Sequence, residues 1–278
     1  MLSYRHGYHA GNHADVLKHW VEVLCIQNMK QKDKPFCYVD SHAGAGLYAL
    51  FEGFAVKTGE AKQGIGRLWA QKKVPDVFRD YMATVRTFNE KTLKYYPGSP
   101  AIAAQLLRED DRLRLVEMHS SDVNLLEQNL GEDPRVNVIS GDGLEQIRAL
   151  LPPSARRGLG LIDPPYELNE DYQYVLQGVQ EGLKRFATGT FLIWYPLLST
   201  TASQKFSGQL QKLHGNWLNV QLKVSVKPYG HGMYGSGMFI INPPWLLRDQ
   251  LLEGLPYLVK LLAQDDAAEF TLEASPAP

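Results

Sequence analysis

The chain has 278 residues, 44% hydrophobic and 21% charged, with a formal net charge of −1. This allows one large or two small domains and excludes a protein coated in basic charge, so any nucleic acid must be met by a local surface. Cys25 and Cys37 make no disulfide scaffold, no apolar run approaches a membrane span and the opening residues lack a secretory signal, so a cytoplasmic location is expected.

Five of the eight histidines fall before residue 43: His6, His9, His13, His19 and His42. Asn12 is placed to cap a helix, with Asp15 three residues on in a capping-box-like spacing. Leu17, Val21, Leu24 and Ile26 give that helix an apolar face to about Lys30. The i,i+4 pairs His9/His13 and Asp15/His19 could hold a metal. No Glu follows His9 as in a zinc-protease helix, so capping and hydrogen bonding by neutral histidines is the commoner reading and no metal is assigned. A third reading folds this segment over a ligand, with Tyr4, Arg5 and His6 near an anionic substrate.

Phe36 to Val39 form a short apolar strand ended by Asp40. Gly44-Ala45-Gly46 then makes a tight turn of the kind that lets backbone approach a nucleotide-like cofactor. Residues 47–96 interrupt the expected strand-helix unit as two or three amphipathic helices, one starting at Pro75. Trp69, Phe78, Tyr81 and Phe88 suggest a packed small lobe. Lys72, Lys73, Arg79 and Arg86 give it either a basic surface or an ordinary solvated face.

Ser99 is a good N-cap and Pro100 a good first helical residue. That helix start should face the glycine turn, where an aminoacyl carboxylate would be favoured. The strand in LRLVEMH ends at Glu117, placed to take both hydroxyls of a ribose. A helix over about 120–130 leads to VNVISGDG, which sets Asp142 and Gly143 at a strand end, beside where an adenine ring would lie. PPSARRG carries Arg156 and Arg157.

Leu159 to Ile162 form a buried strand that stops in Asp163-Pro164-Pro165-Tyr166. Proline has no N–H and a fixed φ, so both prolines lie beyond the strand and hold Asp163 and Tyr166 at the sheet edge. Asp163 and the Pro164 carbonyl can accept the two hydrogens of an exocyclic amine, and the Tyr166 ring can stack on a flat heterocycle; the alternative is a plain strand-ending loop with two prolines and a half-buried tyrosine. A helix follows over about 169–186, a strand over 190–196, a helix over 203–213 and strands over 220–226 and 237–244. The glycine-rich stretch 227–237 suits a substrate-responsive loop, a last helix covers about 245–262, and the acidic tail 263–278 is expected to fray. The order predicts an α/β fold: a mainly parallel seven-stranded sheet with helices on both faces and an antiparallel C-terminal hairpin.

The motif Asp-Pro-Pro-Tyr resembles the signature of adenine-N6 methyltransferases. The wider set MLSYRHGYHAGNHADVLKH, DSHAGAG, YYPGSP, GDG, LIDPPYE, KRFATGT, WYP and INPPW resembles the RlmJ family of 23S ribosomal RNA adenine-N6 methyltransferases, from the first residue to about 245. The resemblance implies a Rossmann-like class I methyltransferase domain (1–46 and 97–262) with an inserted helical subdomain (47–96). It implies S-adenosylmethionine as cofactor and a monomer acting on 23S rRNA during ribosome maturation. Carried over by residue, the cofactor contacts are His19, His42, Ser99, Glu117, Asp142, Gly143 and Asp163. Asp163, Pro164 and Tyr166 form the catalytic motif, and Tyr4 touches the RNA. Departures at Gly7 and Tyr8 concern no catalytic position. Methylation of DNA, and a noncatalytic RNA-binding module on the same scaffold, stay open as alternatives.

Overall fold

The computed structural model describes residues 5–227 and 232–276. Tyr4 and residues 228–231 of the glycine-rich stretch lie outside them.

Helix α1 (His13–Lys30) leads into β1 (Cys37–Asp40). The insertion runs through β2 (Leu47–Ala49), α2 (Gly53–Thr58), α3 (Ile65–Trp69) and α4 (Arg79–Thr87) to β3 (Tyr95–Pro97). The main fold resumes with α5 (Ser99–Leu106), β4 (Arg112–Glu117), α6 (Ser120–Leu130), β5 (Val136–Ser140), α7 (Gly143–Leu150) and β6 (Gly158–Ile162). It ends with α8 (Asn169–Arg185), β7 (Thr190–Leu197), α9 (Thr201–Leu210), β8 (Trp217–Lys223), β9 (Gly235–Ile241), α10 (Leu247–Leu262) and β10 (Glu269–Ala274).

The main sheet has eight strands in the order β10-β8-β9-β7-β6-β1-β4-β5. The strands from β7 to β5 pair in parallel; β9, β8 and β10 are antiparallel to their neighbours. The expected seven strands and terminal hairpin are therefore present, with one strand added. That strand lies in the tail expected to fray. Phe270 and Leu272 pack partly against the core, and the backbone of 269–274 pairs along β8, whose edge would otherwise be open.

Alternation along the strands divides the core. Tyr38, Leu113, Leu115, Leu159 and Leu161 face one side, under α1, α5 and α10. Cys37, Val39, Ile162 and Ile193 face the other, under α7, α8 and α9. The insertion closes no core of its own. Ile65, Leu68, Phe78, Tyr81 and Val85 join the α1 side, where Trp20 stacks on Phe78 with ring centroids 4.5 Å apart and donates Nε1–H to the Val77 carbonyl at 2.9 Å. The two-stranded ribbon β2–β3 closes the base of the insertion.

Asn12 caps α1 as its position predicts, Oδ1 accepting from Ala14 N at 2.9 Å and Asp15 N at 3.0 Å. Asp15 reaches back to Gly11 N at 2.8 Å, one residue short of a full capping box.

Candidate active site

Strand order reverses across β1 and β6: the chain passes from β1 outward through β4 and β5, then returns to β6 and leaves through β7. The crevice beyond the carboxyl ends at such a switch point is where open α/β sheets hold ligands. A cavity of about 240 Å³ lies there, lined by His19, His42, Ser99, Glu117, Asp142, Gly143, Asp163 and Pro164 together with Lys18 and His6. Residues expected from six separate stretches of sequence thus meet at one place.

On one side stands Asp163. Its Oδ2 accepts from Lys18 Nζ at 2.5 Å. Lys18 also pairs with Asp15 Oδ1 at 2.9 Å, and Asp15 Oδ2 lies 3.0 Å from His6 Nε2. Lys18 and Asp15 keep only 4% and 2% of their side-chain surface exposed. Burial opposes both charges. Asp15 and Asp163 nonetheless hold the Lys18 ammonium well above its usual range, while His6, Lys18 and His19 hold Asp15 well below the usual carboxylate range. Burial pushes Asp163 up, and Lys18 is the main opposing influence.

Tyr166 does not join the cavity wall, which corrects the expectation of a stacking ring. Its backbone turns into the left-handed region, φ 50°, directly after the two prolines. The ring then packs among Tyr172, Trp194 and Phe206, and the hydroxyl donates to the Trp194 carbonyl at 2.8 Å. The residue is 6% exposed. Flat surface on the wall comes instead from Pro164, Pro165, Tyr48 and Tyr174.

Across the cavity, Glu117 ends β4 and accepts from Gly44 N at 2.8 Å and His119 N at 2.7 Å. Gly44 holds φ +62°, the left-handed conformation that lets this turn close. Burial raises the Glu117 pKa. Asp142 caps α7 through Leu144 N and Glu145 N. Gly143 lies so close to β1 that an added Cβ would sit 1.8 Å from the Ser41 carbonyl oxygen.

Ser99 departs from its expected role: Gly98 is the N-cap, and Ser99 opens α5 and donates its hydroxyl to Asp40 Oδ2 at 2.7 Å. Asp40 also accepts from His42 N at 3.1 Å, and burial raises its pKa to about 6. Burial lowers His42 to about 4. His19 Nδ1 meets the Tyr96 hydroxyl at 2.7 Å, while its buried Nε2 has no hydrogen-bond partner.

Lys18 lines the cavity though motif reading does not single it out, and Asp15 enters the sequence reading as a cap partner and as half of the Asp15/His19 pair. Glu22, on the same helix but outside the cavity lining, is fully buried and accepts from the Tyr38 hydroxyl at 2.8 Å. A signal for all three was present. Asp15, Lys18 and Glu22 stand at i, i+3 and i+7, a charged stripe on a helix that is apolar around it. Of the histidine pairs, His19 Nε2 stands 3.9 Å from Asp15 Oδ1. His9 meets Glu60 of the insertion at 3.0 Å, and His13 is buried with its pKa lowered to about 4. Among the described residues no three metal-ligating side chains converge, and no helix is long and apolar enough to cross a membrane.

A Rossmann-like sheet with a glycine turn and acids at successive strand ends is the frame of a nucleoside-cofactor site, and the family it belongs to makes this one a methyltransferase. The chain belongs to the family described as ribosomal RNA large subunit methyltransferase D, RlmJ, whose model matches residues 33–273. It is 47% identical over 276 residues to ribosomal RNA large subunit methyltransferase J of Haemophilus influenzae, covering 98% of each chain. It is 49% identical over 263 residues to the protein of that name from Escherichia coli K12, covering 93% of each. Its fold matches the crystal structure of a Legionella pneumophila protein with a TM-score of 0.90 at 32% identity, over 96% of this chain and 98% of that one. The expected cofactor, S-adenosylmethionine, accords with membership of a methyltransferase family.

Proposed function

We propose that this chain methylates the N6 amino group of an adenosine in 23S ribosomal RNA, with S-adenosylmethionine as donor. The observation that carries the reading is Asp163-Pro164 set beside Lys18 in the same cavity as Glu117, Asp142 and Gly143.

The cavity suits the donor. Glu117 offers carboxylate oxygens for ribose hydroxyls, and Gly143, having no Cβ, lets the start of α7 sit against the Ser41 backbone at the cavity wall. The Nε2 of His19, without a hydrogen bond among the described residues and 3.9 Å from Asp15 Oδ1, suits the polar aminoacyl end. The donor, when bound, supplies a methyl group already activated by its sulfonium, so the protein's task is to position and polarise the acceptor.

A base at this depth must leave its stack. Asp163 and the Pro164 carbonyl accept the two N6 hydrogens, which directs the nitrogen lone pair outward. Lys18 keeps the buried Asp163 anionic, and Asp163 receives the proton that the amine sheds. Pro164, Pro165 and Tyr48 confine the ring in the place assigned from sequence to Tyr166, and Tyr4 remains the expected RNA contact. The enzyme would work as a cytoplasmic monomer during ribosome maturation.

Asp163→Ala is expected to abolish methyl incorporation into a 23S rRNA fragment while calorimetry still shows cofactor binding. Full activity in that variant would end the mechanism. Equal or greater methylation of duplex DNA by the unaltered enzyme would transfer the reading to DNA.

A further inference from the structure

A second cavity, of about 430 Å³, lies directly behind Tyr48. Tyr48 and Asp122 line both cavities, so the two share a wall. Ala45, Ala49 and Ala55 give the second cavity a shallow apolar floor, and Leu125, 45% exposed, stands on its wall. Glu52 and Asp122 bring carboxylates to it and Arg5 brings a guanidinium, which donates to Ser121 Oγ at 2.5 Å and to Asp122 Oδ1 at 3.0 Å. Just beyond β2, Phe51 meets Tyr95 of β3 edge to face at 5.6 Å, the two 51% and 37% exposed and outside the cavity lining. An exposed aromatic pair beside a small-residue floor suits a stacked base, and Arg5, although paired with Asp122, is the cation beside it.

We propose that this second cavity receives the nucleobase adjacent to the target adenosine on the same RNA strand. This deepens the function proposed above and rests on it. A strand that delivers one base to the first cavity carries its neighbour one backbone unit away, and the shared Tyr48 wall sets the two sites side by side. Arg5 faces the phosphates between them. The Glu52 and Asp122 carboxylates accept hydrogen bonds, so they favour a base that presents an exocyclic amine. The protein thereby reads a dinucleotide step, and the second base fixes which adenosine enters.

The test uses the full-length enzyme and synthetic rRNA fragments holding the target adenosine, either intact or with an abasic nucleotide on its 5′ or its 3′ side. With the unaltered enzyme, one of the abasic fragments should raise KM about tenfold, the loss expected for one stacked base. Ala49→Phe, which fills the cavity, should raise KM for the intact fragment to a similar degree and make the abasic substitution nearly silent. Glu52→Gln, at an exposed position, should raise KM several-fold with an unchanged melting temperature. Cofactor affinity should stay unchanged in both variants. The proposal is overturned if neither abasic fragment differs from the intact one, or if Ala49→Phe, folded by its melting curve, methylates intact RNA with an unaltered KM. Failure of the underlying function would show separately, as no methyl transfer to the intact fragment by the unaltered enzyme, and it would remove this proposal too.

Discussion

In the proposed mechanism Lys18 matters to Asp163 because burial alone would favour the neutral acid. Removing the ammonium, as in Lys18→Met, takes away the main influence that lowers the Asp163 pKa, so that pKa rises further. The ionised fraction then falls at neutral pH, and the acid limb of the kcat profile should move to higher pH. An unmoved limb would show that another group sets it. Asp15 anchors the same network at 2.9 Å from Lys18 and 3.0 Å from His6. Asp15→Asn leaves Lys18 with Asp163 as its remaining carboxylate partner, and breaking a buried pair costs about 3–5 kcal/mol. Thermal unfolding should record the loss. The depressed Asp15 pKa contributes stability that is present above 3.8 and lost as pH falls through its lowered folded value. The difference in stability between the two proteins should therefore narrow in acid.

The elements were unequally legible. Successive strand ends at Glu117, Asp142 and Asp163 could be read in the sequence, because each is a short apolar run stopped by an acid and a turn. Strand β10 could not: residues 269–274 were judged by the acidic, proline-ended tail around them, whereas Phe270 and Leu272 find their place only against β8. Tyr166 failed for a related reason. The two prolines announced a rigid loop, but the direction of the ring depends on a left-handed turn and on Tyr172, Trp194 and Phe206, which are distant contacts. Two outcomes test this scale. Ending the chain before Glu269 uncovers the β8 edge and should lower the melting temperature and promote association, seen by light scattering. Gly143→Ala drives a methyl group into the Ser41 carbonyl, so α7 must shift from β1. Overpacking of this kind costs about 1–3 kcal/mol, and cofactor affinity should fall more than tenfold by calorimetry.

For the whole molecule, a net charge of −1 means RNA is met by a confined surface. Each phosphate neutralised on a single strand contributes about 0.7 to the slope of log affinity against log salt. The KM for rRNA fragments should therefore rise gently with salt, with a slope of roughly 2–3, and a slope several times larger would require an extended basic track.

Lys18 and Asp163 are 145 residues apart, and the cavity between them also draws on His42, Ser99, Glu117 and Asp142. No fragment of unfolded chain can assemble that set, so the cofactor binds the folded protein alone. At a concentration 100 times its dissociation constant, such a ligand adds about 2.7 kcal/mol to stability. The methyl donor would then act in the cell as a guardian of the enzyme as well as its reagent. When the donor pool is depleted, more copies open, and proteases clear what is left unliganded. The number of enzyme molecules would thus follow the cell's capacity for methylation, with no separate sensor.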